Sequence, residues 1–508
     1  MRPRSARPTI GLALVAVIVL AGCSAAPTPT SPTPNKPVES TTAADDVLAA
    51  FYEQPLDWRE CGGAECTKVQ VPLDYDDPTG ARIELSLTKV PATGESIGAL
   101  LVNPGGPGGS AFDYAKAADY IVSPSIRESF DIVGVDPRGV AGSEPVKCLS
   151  DEQIDRIFAA DGTPDDPQEV RDLLADSASI ARACQDEADE IWRFMDTATT
   201  ARDMDIVREV LAQPVLNYLG KSYGTAIGAT YAELFPDRVG RMVLDGALPV
   251  GMSHEDVTYG QAVAFEKAAA HFADYCAESG DCPFAGNSGD VVTQIRSFLT
   301  RLDSSPLPTR DGRQLTESLG SYAVLSHLYF PGSDYPRLKR ALAEAVDGDG
   351  TALITLMDER VNRGQDGRYL DNSTDAFYAV TCSDMPFEGA PEDAAALARG
   401  WSIDAPTFGP ALAWGMLVCA DWPVRAKDPV TGVSANGSAP ILVVSTVGDT
   451  ATPHEWGIDL AASLFDGHLV TWDAFNHTAY GEGSACIDRA VDAYLLAGEL
   501  PPSDLVCS

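Results

Sequence analysis

Positive charge is scarce in this chain. Lysine and arginine total 36 against 74 aspartates and glutamates, a formal net charge of −38 in 508 residues. Such a surface repels phosphate backbones and anionic bilayers, which excludes nucleic acid as a partner. Histidine is scarcer still, at six residues, so chemistry that needs an imidazole has few to choose from. Neither C-x-x-C nor H-E-x-x-H occurs, and the G-x-x-x-x-G-K-[ST] phosphate loop is missing. Nothing calls for a metal or an organic cofactor. The apolar run Ile10–Ala21 is too short and wrongly flanked for a membrane span.

That short run has another use. Arg2, Arg4 and Arg7 precede it and "LAGC" ends it, which is the layout of an export signal over 1–22. "LAGC" resembles the bacterial lipobox, in which Cys23 becomes a lipidated first residue; an ordinary signal peptide cut nearby is the alternative. A stretch rich in proline, threonine and serine follows over 23–45, with almost nothing to bury, and reads as a tether. The expected protein is exported, and either touches a membrane only through a lipid at Cys23 or is secreted. Ten cysteines remain, an even number in an exported chain, which reads as disulfides. Sequence neighbours suggest Cys61–Cys66, Cys148–Cys184, Cys276–Cys282, Cys382–Cys419 and Cys486–Cys507.

Short β-branched runs ending in turn residues occur at 83–90, 98–106, 130–139, 215–220, 241–246, 440–449 and 468–474. Helical patterns lie between them, as at 199–212 and 225–235. Continuous apolar strands alternating with helices imply an α/β fold with a mostly parallel sheet covered on both faces. The alternation stops near Pro249 and resumes near Pro440. The expected division is a core over 46–249, a large, mainly helical cap insertion over 250–430, and the rest of the core over 431–508.

"NYLGKSYGTAIGA" at 217–229 places Ser222 in G-x-S-x-G, after a strand and before a helix. That is the context of a nucleophile elbow, where Gly220 and Gly224 leave room for strand and helix to meet. A serine nucleophile needs a base. His477 lies in a loop after the last long strand and fits the Ser–acid–His chain order; the other five histidines do not. Asp449, ending "PILVVSTVGD", is the preferred acid, with Asp245 in "VLDG" as runner-up. Backbone N–H groups of Tyr223 and of Gly106, in the glycine-rich loop "NPGGPGGSA", would form the oxyanion hole.

Four segments together, "NPGGPGGSA", "DIVGVDPRGVAGSEPVKC", "LNYLGKSYGTAIGATYAELFPDRVGRMVLDG" and "VGDTATP…FNHTAYGEGSAC", resemble the secreted tripeptidyl aminopeptidases of actinobacteria. These are α/β-hydrolases related to proline iminopeptidases. The resemblance covers most of 57–508 and is weakest in the cap. It implies a serine peptidase acting on peptides or proteins, releasing short peptides from free N-termini. The family's nucleophile, acid and base fall on Ser222, Asp449 and His477. Its H-G-G-P-G loop falls on 104–108, with Pro104 in place of histidine. Ala141 and Asn476 stand where glycine is expected. An aminopeptidase must also hold a protonated amine, and Asp384, beside Cys382, is the candidate carboxylate. A carboxylesterase or lipase would use the same triad, and a non-catalytic binding lipoprotein is the third reading.

Overall fold

The computed structural model describes residues 43–508, so the expected export segment, Cys23 and most of the expected tether lie outside the described residues. The helix Ala43–Tyr52 starts before the expected end of the tether. Positions 43–45 are therefore helical, and the reason is visible downstream: Phe51 is buried in the core and gives the helix a partner.

The strands are β1 (Arg59–Glu60), β2 (Glu65–Pro72), β3 (Arg82–Val90), β4 (Ala99–Asn103), β5 (Asp131–Val135), β6 (Leu216–Lys221), β7 (Val239–Asp245), β8 (Leu307–Pro308), β9 (Gln314–Leu315), β10 (Ile441–Thr446), β11 (Gly467–Trp472) and β12 (Leu505–Cys507). Ten of them form one sheet in the order β1-β2-β3-β5-β4-β6-β7-β10-β11-β12. From β5 to β12 every neighbouring pair is parallel; β1, β2 and β3 pair antiparallel at one edge. All six residues of β10 are buried, as a strand covered on both faces requires. This is the α/β-hydrolase fold. After β4 the chain turns to β5 on one side and to β6 on the other, so the sheet's switch point opens at the C-terminal ends of β4 and β6.

Between β7 and β10 the described chain is helical except for the β8–β9 ribbon, with a core of its own that includes Phe272, Phe298, Leu338 and Met357. A second excursion joins it. The helices Asp151–Ala159 and Pro167–Glu187, between β5 and β6, lie within the expected core segment 46–249, yet they pack on the cap. Asp155 receives both Nε and Nη2 of Arg363, each at 2.7 Å.

Five disulfides join Cys61 to Cys66, Cys148 to Cys184, Cys276 to Cys282, Cys382 to Cys419 and Cys486 to Cys507. The last ties β12, a strand too short to hold itself, to the C-terminal helix Ala485–Ala497.

Candidate active site

Ser222 sits in the one-residue turn between β6 and the helix Tyr223–Leu234, at φ +55° and ψ −127°. That conformation is costly for any residue with a side chain and is held by its surroundings. Ser222 N donates to Asp245 O at 3.0 Å. A Cβ on Gly220 would lie 2.5 Å from Gly224 O, and one on Gly224 would lie 2.8 Å from Asn103 O. Glycine at both positions is what allows strand, turn and helix to close up.

His477 follows β11, and its Nδ1 meets Asp449 Oδ1 at 2.8 Å, both residues buried. The Asp449 carboxylate also receives the N–H groups of Ala451 (2.9 Å), Thr452 (2.9 Å) and Thr478 (3.1 Å). So fixed, it makes Nδ1 the donor nitrogen and leaves Nε2 to accept a proton. Among the described residues no hydrogen bond links Ser222 Oγ to His477. The two are joined through their surroundings: Ser222, Ala451, Thr452 and Tyr329 line one cavity, and the Tyr329 ring lies edge-on to His477 at 5.1 Å.

Asp245, the runner-up acid, supports the histidine loop from beneath. It is fully buried and accepts the N–H groups of Ala479 and Tyr480 at 2.9 Å each. Burial raises its carboxyl to about 6, against the pull of Lys221. Asn476 is buried too, and its Nδ2 bridges His477 O and Thr478 O, each at 3.1 Å, where Thr478 takes φ +64°. An asparagine here therefore has a task that glycine could not perform. Ala141 is different. It adopts φ +45°, a conformation suited to glycine, and nothing in the structure explains the alanine.

The loop after β4 presses against the elbow. A Cβ on Gly105 would stand 2.5 Å from Lys221 O and 2.8 Å from Tyr223 N. Gly106 follows at φ +117° and lines the cavity beside Ser222 and Tyr223. Tyr223 opens a helix, so its N–H has no partner within that helix. The helix start also favours negative charge.

The cavity measures about 480 Å³, with walls from the core, the cap and the second excursion. Phe158, Tyr322, Phe377, Phe408 and Met416 make much of it apolar. Its acidic wall residue is Glu317, whose carboxylate lies with those of Asp161 and Asp303 within 4.8 Å of one another. Burial, and then the charges of Asp303 and Asp161, raise the Glu317 carboxyl above its ordinary range. Asp384 is elsewhere. It lines an adjoining cleft of about 630 Å³ with Glu255, Glu388 and Asp393. His254 and Met385 stand between the two spaces and line both. Sequence reasoning passed over Tyr329, Thr197, Glu317 and Gly105. Of these only Gly105, inside the glycine-rich loop, carried a local signal.

A model of the family described as TAP-like protein matches residues 405–507. Serine protease Hip1 of Mycobacterium tuberculosis is 36% identical over 484 residues, covering 89% of this chain and 91% of that protein. Carboxylesterase B of the same species is 36% identical over 489 residues, covering 94% and 92%. Tripeptidyl aminopeptidase of Streptomyces coelicolor is 31% identical over 481 residues, covering 89% and 86%.

Proposed function

We propose, from the premise that the chain belongs to the TAP-like family of α/β-hydrolases and is a serine peptidase, that it removes short peptides from free N-termini. Ser222 Oγ attacks the scissile carbonyl carbon while His477 Nε2 takes its proton. Asp449 orients the imidazole and stabilises its protonated form. The N–H groups of Gly106 and Tyr223 hold the oxyanion. Collapse expels the amine with the proton from His477; water then cleaves the acyl-enzyme by the same route in reverse.

The observation that carries the N-terminal preference is Glu317. It is an acid on the wall of the Ser222 cavity, crowded by Asp161 and Asp303. A substrate ammonium relieves that repulsion, whereas a blocked N-terminus would leave the carboxylate with the Thr163 hydroxyl but no counter-charge. Asp384 does not suit this role, because it lines the adjoining cleft and not the Ser222 cavity. The rest of the wall is largely apolar and carries the cation Arg360; this favours the second reading, a carboxylesterase, which would ignore the amine.

Export and lipidation at Cys23 belong to the same proposal. All ten cysteines of the described chain are paired, which suits an oxidising compartment. Incorporation of a labelled fatty acid that survives Cys23→Ala would refute the anchor.

The test of function compares a tripeptide anilide with its N-acetylated twin. Cleavage of the free form alone, lost in Ser222→Ala and weakened in KM by Glu317→Gln, is the expected result. Equal cleavage of both, or turnover of a short acyl ester only, would replace the aminopeptidase with an esterase.

A further inference from the structure

The helix Ser373–Asp384 lies in the cap, yet its two ends meet the two walls of the oxyanion site. At its start it abuts the loop after β4. A Cβ on Gly108 would lie 2.7 Å from Ser373 O and 3.3 Å from Ala376 Cβ. This end is pinned to the core. Asn372 Nδ2 donates to Gly139 O (2.8 Å) and Val146 O (2.9 Å), and its Oδ1 accepts Ala141 N (2.9 Å). Asp375 accepts the N–H groups of Cys148 (3.3 Å) and Leu149 (3.1 Å).

At the other end, Asp384 Oδ1 accepts Thr197 N at 3.0 Å and Oδ2 accepts Thr197 Oγ1 at 2.5 Å. Thr197 Oγ1 lies 2.7 Å from the Tyr223 hydroxyl. A hydroxyl has one proton. Burial raises the Asp384 carboxyl to about 7; above that pH it is ionised and takes the Thr197 proton, so Thr197 Oγ1 accepts from Tyr223. The chain runs in one direction, from Tyr223 O–H through Thr197 to Asp384. Tyr223 is buried, so its phenol is a fixed lever on its own backbone. That backbone N–H is the oxyanion donor beside a strained serine. A small rotation about Tyr223 would swing the donor away.

We propose that Asp384 is a positioning residue for the oxyanion hole, acting through Thr197 and Tyr223, and that the cap helix Ser373–Asp384 braces both walls of that hole. The inference rests on the serine-hydrolase reading given above. It assigns Asp384 to catalysis through another residue and not to the substrate amine.

Thr197→Val keeps the side-chain shape, keeps the N–H bond to Asp384 and cuts the chain in the middle. Tyr223→Phe removes its first hydroxyl, and Asp384→Ala removes its anchor. Each would be measured for kcat and KM on the tripeptide anilide and on an activated acyl ester. The expected result for each single variant is a fall in kcat of roughly tenfold on both substrates. That is less than the roughly 10²–10³ lost when a donor is removed outright. KM should hold, and Thr197→Val with Tyr223→Phe should fall no further than the worse single variant. A purely structural role would move thermal stability and KM with kcat. Additive losses in the double variant, an unchanged kcat, or a loss confined to KM on free-amine substrates would overturn the inference. Wild-type protein that turned over neither substrate would instead sink the functional reading beneath it.

Discussion

Gly105→Ala tests how the loop after β4 meets the elbow. A Cβ at that position would stand 2.5 Å from Lys221 O, 2.8 Å from Tyr223 N and 3.0 Å from Ser222 Cβ. Ordinary contact begins at 3.4 Å, so loop or elbow must yield by about 0.9 Å. The first two atoms are backbone, and no rotamer change removes them. At φ +90° the alanine is held besides in a region that costs an L-residue about 1–2 kcal/mol. An oxyanion donor works over a span of only about 0.4 Å, from roughly 2.7 to 3.1 Å. The displacement is larger than the span, so one of the two proposed donors, Gly106 and Tyr223, is lost. Losing one donor lowers kcat by roughly 10²–10³, which is about 2.7–4 kcal/mol. KM on the tripeptide anilide should change by less than roughly threefold, because the far walls of the cavity are untouched. Steady-state kinetics with a parallel thermal unfolding scan make the assay. A folded Gly105→Ala enzyme that kept kcat within about a factor of two of wild type would refute the packing argument and the place given to Gly106.

Three further outcomes are expected. Burial raises the Asp245 carboxyl from its ordinary 3.8 to about 6, so the folded state holds this proton more tightly than the unfolded. Stability linked to Asp245 is then complete below about pH 4 and lost as pH rises through 6, by up to about 3 kcal/mol. Asp245→Asn should flatten the melting profile across that window, and parallel profiles would contradict it. Ala141→Gly should stabilise by roughly 0.5–1 kcal/mol with turnover unchanged, since it relieves φ +45° while loosening the unfolded chain; a lower midpoint in denaturant would count against it. Replacing Cys382 and Cys419 together by serine opens a bridge across a sequence separation of 37 residues and should cost about 4 kcal/mol on the loop-entropy scale. An unchanged melting temperature would show that the helix Ser373–Asp384 is held without it.

The elbow was legible because its physics is local: strand, turn and helix lie within about twenty residues, and the glycines that allow it flank Ser222 two positions to either side. That Asp449 and His477 would meet was legible because neighbouring parallel strands bring their C-terminal ends together. Of the antiparallel edge, β3 was expected at 83–90 but β2 was missed, though Thr67, Val69 and Val71 alternate buried with exposed Lys68 and Gln70 in the pattern of a half-covered strand. β12 has three residues and no pattern to read. The excursion 151–187 could not be told from core helices, because an amphipathic helix does not announce which neighbour it will cover. Asp384 was noticed for its disulfide neighbour, which is present, but its hydrogen-bond partner was not legible. Its partner Thr197 is 187 positions away, and nothing in either segment points to the other.

The cap also touches the histidine loop directly. His477 N donates to Tyr329 O at 2.8 Å, and the His271 ring stacks on Phe475 at 3.8 Å. Lid and catalyst are therefore not separable modules. Grafting a foreign cap onto this core, an obvious route to a new specificity, would also remove the carbonyl that holds the backbone of His477, the proposed general base. Chimeras of that kind are expected to bind and fail to turn over unless the tyrosine carbonyl is supplied again. A change of specificity is better sought at cavity-facing positions such as Ser321 and Phe377 than by exchange of the whole lid.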